Sequence, residues 1–332
     1  MSKGNILITG SAGQLGVELA ARLREIHGTE RVIATDIRER NRIEEAGPFE
    51  ILDVLDREQL AGAVSKHNIG TIYHLAAILS ANGEKQIGKT WQLNMDGLLN
   101  VLDLGRNDEN NPAGSQNAVS HIFWPSSIAV FGPDADREMT PQNSPLNPTT
   151  VYGISKVAGE QWCAYYHRRF GVDVRSLRYP GLIGYKSEPG GGTTDYAVDM
   201  LQAAAGGNAY TCPLGSHTRL PMMYMDDAVK AALDLMAAPE ELVDVRTSYN
   251  VSAMSFTPDD MAGVIRRHVP DFDVDYAPDS RDAIAASWPD SIDDGKARQD
   301  WNWKPDFDLG AMVKHILDQQ ALSSEVRIRA EL

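Results

Sequence analysis

A glycine-rich turn close to the N-terminus constrains the fold more than any other feature of the sequence. It follows Asn5–Thr9, a short apolar run typical of a strand buried on both faces of a parallel sheet, and it precedes a helical pattern. Glycines at this spacing allow a tight turn and let the backbone approach a pyrophosphate, which the helix N-terminus attracts. The predicted dinucleotide turn comprises Gly10, Gly13, Gln14, Leu15 and Gly16. A helix-initiating turn without a ligand is the alternative.

Strands and helices alternate through the first half of the chain, which predicts an α/β fold with a doubly wound, mostly parallel Rossmann sheet. Further strands are predicted at 31–35, 50–52, 71–75, 121–124 and 172–177, with helices at about 57–67, 84–105 and 149–170. The polar stretch 107–117 is interpreted as a surface loop. The alternation ends after Tyr179 and Pro180. We therefore expect a dinucleotide-binding domain over residues 1–180 and a smaller C-terminal α/β substrate lobe over 181–332, with segments that could interleave.

The composition excludes several classes of protein. The chain has 46 acidic and 31 basic side chains, and its net charge of −15 argues against binding a nucleic-acid backbone. No run of about 18 apolar residues is present, so no membrane-spanning helix is expected, and the N-terminus lacks the pattern of a signal peptide. Cys163 and Cys212 belong to no metal-ligand cluster, so neither a metal site nor a disulfide framework is predicted. A cytoplasmic location fits this composition.

An acidic residue at the end of the second predicted strand favours NAD as the dinucleotide. Asp36 lies 20 residues after Gly16, where a carboxylate can accept hydrogen bonds from the ribose hydroxyls of the adenosine. The same charge repels the 2′-phosphate of NADP. Arg38 and Arg40 are close by in the sequence and could offset that repulsion. We therefore predict a preference for NAD over NADP.

A second acidic residue, Asp53, follows the third predicted strand and has two interpretations. Its carboxylate could accept a hydrogen bond from the adenine amino group while Val54 packs on the ring. It could equally cap the following helix, although Asp56 is better placed as a cap. Asp53 and Val54 are kept among the predicted cofactor-binding residues.

The helix predicted over 149–170 carries the candidate catalytic pair, Tyr152 and Lys156. Residues four apart share one face of a helix, and an ammonium beside a phenol lowers the pKa of the phenol from its usual value of about 10. Tyr152 could then act as a general base near neutral pH. Upstream, Ser126 and Ser127 end a predicted strand and supply hydroxyl groups. Because Tyr-x-x-x-Lys alone is common on solvated helix faces, the dinucleotide turn is what makes this pair informative.

Four features together resemble the extended short-chain dehydrogenase/reductase family: the glycine turn, His-Leu-Ala-Ala at 74–77, Ser127 placed 25 residues before Tyr152, and Tyr-x-x-x-Lys. The resemblance covers nearly the whole chain. It implies that Ser127 orients the substrate hydroxyl, that Tyr152 is the acid/base and that Lys156 holds the nicotinamide ribose. It adds as cofactor-binding residues Leu75, Ala76, Ala77, Asn94, Ser126 and Tyr179. The family often has Asn at the position of Tyr179, so this tyrosine limits the branches of the family that the chain resembles.

Two longer segments, 189–197 and 219–228, resemble the short-chain type of L-threonine 3-dehydrogenases. That likeness implies oxidation of the C3 hydroxyl of L-threonine by NAD⁺ to L-2-amino-3-oxobutyrate. The consecutive glycines that end at Gly192 are typical of a loop that closes over a small ligand. The likeness implies a substrate site made of Ser80, Ser127, Tyr152, Gly192, Thr193, Thr194 and Asp195. Which of these groups meets the substrate ammonium and which meets the carboxylate stays open.

Two other functions stay open at this point. A nucleotide-sugar epimerase or dehydratase of the same family would need arginines to hold a diphosphate, and Arg219 is the one candidate. A non-catalytic dinucleotide-sensing protein is the more remote alternative, because the catalytic serine, tyrosine and lysine are all present. The family resemblance also implies a homodimer formed through the helices predicted over 84–105 and 149–170.

Overall fold

The structure, a computed structural model, describes residues 4–39, 47–106, 119–186 and 192–331, with side chains as far as residue 322. Arg40, the predicted loop 107–117 and the glycines Gly190 and Gly191 lie outside the described residues. Within the described ranges the strands are β1 (Asn5–Thr9), β2 (Val32–Asp36), β3 (Phe49–Ile51), β4 (Ile69–His74), β5 (His121–Ser127), β6 (Asp173–Tyr179), β7 (Gly181–Ile183), β8 (Tyr210–Cys212), β9 (Leu220–Tyr224), β10 (Tyr249–Asn250), β11 (Met254–Phe256) and β12 (Val274–Tyr276).

The helices in the same ranges are α1 (Gln14–His27), α2 (Arg57–Lys66), α3 (Ser80–Gly83), α4 (Ile87–Gly105), α5 (Val151–Phe170), α6 (Tyr196–Ala205), α7 (Met225–Ala237), α8 (Pro258–Arg266), α9 (Ser280–Ala286), α10 (Gly295–Trp301) and α11 (Leu309–Glu331). None of these helices has the length and apolar character needed to cross a membrane. The predicted strands and helices of the first half are found within a few residues of their expected bounds.

The large sheet has the strand order β3-β2-β1-β4-β5-β6-β10, and every pairing in it is parallel. The predicted doubly wound α/β fold is therefore confirmed. β2 is buried at each of its positions, as expected for a strand whose sheet is covered on both faces. The strand order reverses between β1 and β4, and the crevice beyond the carboxyl ends of two such strands is where these folds bind ligands.

The second half of the chain forms small sheets of its own and also extends the large one. β9 lies between β7, which is parallel to it, and β11, which is antiparallel, while β8 pairs with β12. β10 continues the large sheet beside β6, and α7 packs against α1. The apolar cluster around α6 also includes Phe131 and Tyr152 from the first half. One core therefore connects the two halves beside the crevice.

The start of α5 is fixed by side chains on two sides. Thr150 accepts a hydrogen bond from the backbone N–H of Gly153 at 3.0 Å, and Glu84 accepts one from that of Val151 at 2.9 Å. At the other end, Gly171 has φ 70°, a left-handed conformation that terminates helices and that glycine adopts without strain. Tyr152 therefore lies in the first turn of a helix that is held at both ends.

Candidate active site

The glycine turn lies where β1, β4 and α1 approach one another most closely. Gly10 has φ 72°, and a Cβ added to it would lie 2.6 Å from the backbone nitrogen of Ala76. A Cβ on Gly16 would lie 2.6 Å from the carbonyl oxygen of Gly10. Both distances are well inside van der Waals contact, so any larger residue would push the turn apart. The turn leaves its backbone open to the crevice between β1 and β4.

A single cleft of about 880 Å³ runs from this turn to the catalytic residues. Ligand pockets commonly occupy roughly 300–1,000 Å³, so the cleft is large enough for a dinucleotide with a small substrate. Most of the predicted site residues line it: Gly10, Gly13, Gln14, Leu15, Gly16, Asp36, Val54, Leu75, Ala76, Ala77, Ser80, Ser126, Ser127, Tyr152, Lys156, Tyr179, Gly192, Thr193, Thr194 and Asp195. Tyr179 uses its hydroxyl elsewhere, donating to the carbonyl of Ala228 at 2.7 Å.

Asp36 lies at one end of the cleft and is almost completely buried. Its Oδ2 accepts a hydrogen bond from the backbone N–H of Ala12, and its Oδ1 accepts from Nε of Arg38, both at 3.0 Å. Burial alone would raise the pKa of Asp36, but the hydrogen bonds and charge of Arg38, with the bond from Ala12, hold it below its usual value. The carboxylate is thus ionised, and it lies beside the glycine turn as the sequence predicts.

Of the predicted cofactor-binding residues, Asp53 and Asn94 do not line the cleft. The Oδ1 of Asp53 accepts a hydrogen bond from the backbone N–H of Leu55, two residues later, at 2.9 Å. Val54, between them, does line the cleft. The cap of α2 is Asp56, the alternative that the sequence favoured for that position. The structure shows one oxygen of Asp53 bonded to its own loop, and the adenine contact of Asp53 stays a prediction.

Asn94 lies behind the cleft wall and not in it. Its Oδ1 accepts from the backbone N–H of Ile78 at 2.9 Å, and its Nδ2 donates to the carbonyl of Ile78 and to Oγ of Ser155, both at 3.1 Å. Asn94 is buried, so these bonds satisfy a polar side chain that would otherwise destabilise the core. Asn94 connects α4 to α5 and fixes the loop after β4, which is a supporting position without direct access to a cofactor.

The catalytic candidates meet at the end of β5. Ser127 lies beside the hydroxyl of Tyr152 and lowers its pKa, and the Oγ of Ser127 accepts from the backbone N–H of Ala129 at 3.2 Å. The Nζ of Lys156 donates to the carbonyl of Pro125 at 2.6 Å and lies 5.5 Å from the centre of the Tyr152 ring. The spacing argument correctly predicted that these three side chains share one site. Such an arrangement can hold a substrate hydroxyl and remove its proton.

Burial dominates the protonation of this pair. It raises the pKa of Tyr152 to about 12, and the hydrogen bond from Ser127 opposes that rise. It lowers the pKa of Lys156 to about 7, against the charge of Glu160. The prediction that Lys156 brings the pKa of Tyr152 below 10 is therefore wrong for the protein by itself. The ammonium bonds a carbonyl, while the apolar surroundings penalise the phenolate.

The far end of the cleft is built from side chains contributed by distant parts of the chain. The hydroxyls of Ser80 and Thr193, 113 residues apart, lie 3.2 Å from each other and are buried. Asp195 is also buried, and its Oδ2 accepts from the backbone N–H of Gly192 at 2.7 Å. The structure adds Trp288, a buried aromatic that lines the cleft. No motif surrounds Trp288 in the sequence, so sequence reasoning missed it.

Comparisons with known proteins agree with this geometry. Residues 6–252 match the NAD dependent epimerase/dehydratase family. A GalE-like L-threonine dehydrogenase from Cupriavidus necator in its holo form is 50% identical, with 95% of this chain and 99% of that chain covered and a TM-score of 0.90. An L-threonine dehydrogenase from Clostridium difficile is 41% identical, with 97% and 99% covered and a TM-score of 0.91.

A comparison of sequences alone also finds a relative over almost the full length of the chain. An uncharacterized epimerase/dehydratase from Staphylococcus haemolyticus is 46% identical over 315 residues, which are 94% of this chain and 96% of that protein. The resemblance to this family predicted from the motifs is confirmed, and the family is NAD-dependent. The chain belongs to the NAD dependent epimerase/dehydratase family.

Proposed function

We propose that the protein is an L-threonine 3-dehydrogenase, which oxidises the C3 hydroxyl of L-threonine to L-2-amino-3-oxobutyrate with NAD⁺. The observation that carries the proposal is the small polar end of the cleft, where Ser80, Thr193 and Asp195 lie in one cavity with the catalytic tyrosine. Solved relatives of 41% and 50% identity carry the name L-threonine dehydrogenase, and each aligns over almost the whole of this chain.

The residues at the opposite end of the cleft fit the adenosine and pyrophosphate of NAD. The turn from Gly10 to Gly16 opens backbone N–H groups at the start of α1 towards an anion, and Asp36 is ionised where the adenosine ribose hydroxyls would meet it. Val54 and Leu75 provide apolar surface along the same wall. When bound, NAD⁺ supplies the acceptor for the hydrogen that leaves C3 with its electron pair.

The protein's own contribution to the reaction is to hold the hydroxyl and remove its proton. Ser127 positions the substrate hydroxyl beside Tyr152, whose Oη takes the proton as general base. Because burial raises the pKa of that phenol, the positive charges nearest to it decide how readily it ionises. Lys156 is the buried amine nearest to it in the cleft wall, the carbonyl of Pro125 fixes its Nζ, and its pKa of about 7 makes its charge vary near neutral pH.

The charges at the substrate end suit an amino acid. Asp195 provides a carboxylate for the ammonium, and Ser80 and Thr193 provide hydroxyls for the carboxylate. A nucleotide sugar would need guanidinium groups for its diphosphate. Within the described residues, Arg38 is the arginine that lines the cleft, and it lies beside Asp36 at the other end. Arg219 donates to the carbonyl of Ser255 and to Asp260 on the surface, outside the cleft.

We also propose that the protein forms a homodimer through α4 and α5. α4 and α5 pack together, and their outer surfaces expose large apolar side chains: Ile87, Trp91, Ile154, Trp162 and Tyr165. Exposed apolar patches of this kind are typical of protein interfaces. We also propose a cytoplasmic location, in keeping with the free, buried thiols of Cys163 and Cys212.

The function is tested by incubating the purified protein with L-threonine and NAD⁺. We expect NADH to form, together with an equal amount of L-2-amino-3-oxobutyrate or its decarboxylation product, measured by absorbance and mass spectrometry. Absence of NADH at saturating concentrations of both compounds, from protein that still binds NAD⁺, would contradict the proposal.

A further inference from the structure

A buried ion pair lies directly behind the catalytic residues, and its carboxylate, Glu160, also raises the pKa of Lys156. Glu160, on α5, is completely buried, and Arg178, on β6, is 3% exposed. Nε of Arg178 donates to Oε1 of Glu160 at 2.9 Å, and Nη2 donates to Oε2 at 2.7 Å. The same Oε1 accepts a third bond, from Oγ of Ser126 at 2.7 Å. The carboxylate is therefore fixed by a two-point contact and in turn fixes a serine of β5.

Ser126 is the middle one of three consecutive residues at the end of β5 that each lie against a residue of α5. The pairs are Pro125 with Lys156, Ser126 with Glu160, and Ser127 with Tyr152. The three partners on α5 are spaced four residues apart, so they form one line along a single face of the helix. Two of the three contacts hold catalytic groups, and the third is the contact to Glu160.

Arg178 connects this line to the second half of the chain. Its Nη1 donates to the carbonyl of Gln142 at 2.9 Å and to Oδ1 of Asn250 at 3.2 Å, and Asn250 belongs to β10. Replacing a buried ion pair by apolar residues of similar size is often neutral or stabilising. The two charges by themselves are therefore a weak argument for a purely stabilising role, and the bond from Ser126 to Glu160 is the contact that reaches the catalytic residues.

We propose that Glu160, held by Arg178, is a positioning residue for the oxidation. By binding Ser126 it sets the end of β5 against α5 at the separation at which Ser127 meets Tyr152 and Pro125 meets Lys156. Glu160 does not touch the cleft, so its effect on the reaction is indirect. The inference rests on the proposed function, because the reaction whose geometry it sets is the oxidation of L-threonine.

The test is the double variant Glu160→Met/Arg178→Met, which removes both charges together. We expect it to fold with a lower Tm, because Ser126, Asn250 and the carbonyl of Gln142 each lose a hydrogen-bond partner. We expect kcat for L-threonine to fall about 10- to 100-fold, since a misplacement of about 1 Å can cost 10²-fold. The KM for L-threonine and the Kd for NAD⁺ should change little. A merely structural pair would leave kcat unchanged, and that result would overturn the proposal.

A matched control lies at the other end of the same strand. Asp173 and Arg175 form a second buried ion pair, 2.8 Å long, that does not border the cleft. Asp173→Asn/Arg175→Met should leave kcat unchanged whatever it does to Tm. If kcat fell equally in both double variants, the effect would be a general response to losing a buried pair, and the proposal would fail.

Two further results keep the test decisive. If the double variant does not fold, Ser126→Ala decides: kcat should fall about tenfold with Tm retained, and an unchanged kcat would overturn the proposal. Failure of the proposed function is seen separately, since the unmodified protein would then reduce no NAD⁺ with L-threonine. The variants would in that case be compared on a nucleotide sugar that the unmodified protein converts, with the same two outcomes.

Discussion

The two ends of the cleft are built in different ways. At the cofactor end, one short turn supplies the backbone, and Gly10 and Gly16 make its close packing possible. At the substrate end, Ser80 and Thr193 meet at 3.2 Å although 113 residues separate them. A local motif therefore determines where a dinucleotide binds, whereas recognition of the substrate depends on how the two halves of the chain pack. Substitutions at one end should change cofactor binding, and those at the other should change turnover.

The largest effect is expected from Tyr152→Phe, which removes the proposed base and keeps the ring. Turnover of L-threonine should fall about 10³- to 10⁴-fold, in the range for loss of a general base, while the Kd for NAD⁺ stays within about threefold. Tyr166→Phe is the control, because that hydroxyl donates to Asp103 outside the cleft. Steady-state kinetics and NAD⁺ titration measure both quantities. Near-normal turnover in the first variant would remove Tyr152 from the mechanism.

Gly16→Ala should act at the cofactor end. Its Cβ would lie 2.6 Å from the carbonyl oxygen of Gly10, and overpacking of this kind costs about 1–3 kcal/mol. We expect NAD⁺ affinity to fall about 10- to 100-fold, together with a lower Tm, in calorimetric titration and thermal unfolding. Gly62→Ala in α2 is the control, since its Cβ would meet nothing within 4 Å. Equal NAD⁺ affinity in the two variants would show that the close turn is not needed for binding.

Thr193→Val should act at the substrate end. It keeps the shape of a side chain that is 1% exposed but removes the hydroxyl that meets Ser80. We expect kcat/KM for L-threonine to fall about 10- to 150-fold, with the Kd for NAD⁺ unchanged, because a lost hydrogen bond to a charged group costs about 1.5–3 kcal/mol. Thr149→Val, at an exposed contact with Ser287, should leave both constants unchanged. A loss confined to NAD⁺ binding would place Thr193 at the wrong end of the cleft.

The smallest effect is expected from Asp36→Ser. This variant removes the carboxylate that repels a 2′-phosphate and frees Arg38 from its ion pair. The ratio of kcat/KM for NAD⁺ to that for NADP⁺ should fall about three- to tenfold, which corresponds to about 1 kcal/mol. Kinetics with both cofactors measure this ratio. An unchanged ratio would mean that Asp36 does not set the preference.

Much of the fold could be predicted from the sequence. Apolar runs such as that of β4 identify buried strands, and the glycine turn identifies the connection from β1 to α1. The site was less predictable. The position of Asp53 after a strand contains no information on the hydrogen bond that its Oδ1 accepts from the backbone of Leu55. Helix spacing places Lys156 beside Tyr152 but contains no information on burial, which determines both pKa values. Trp288 reaches the cleft only through tertiary packing.

The most direct test of the account is a comparison of NADH formation from L-threonine, D-threonine, L-serine and a nucleotide sugar, measured at equal enzyme and NAD⁺ concentrations. If the substrate end is built for the amino acid, L-threonine should give the highest kcat/KM of the four, and the nucleotide sugar should neither produce NADH nor be converted. Interconversion of the nucleotide sugar without net NADH, combined with no oxidation of L-threonine, would contradict the account.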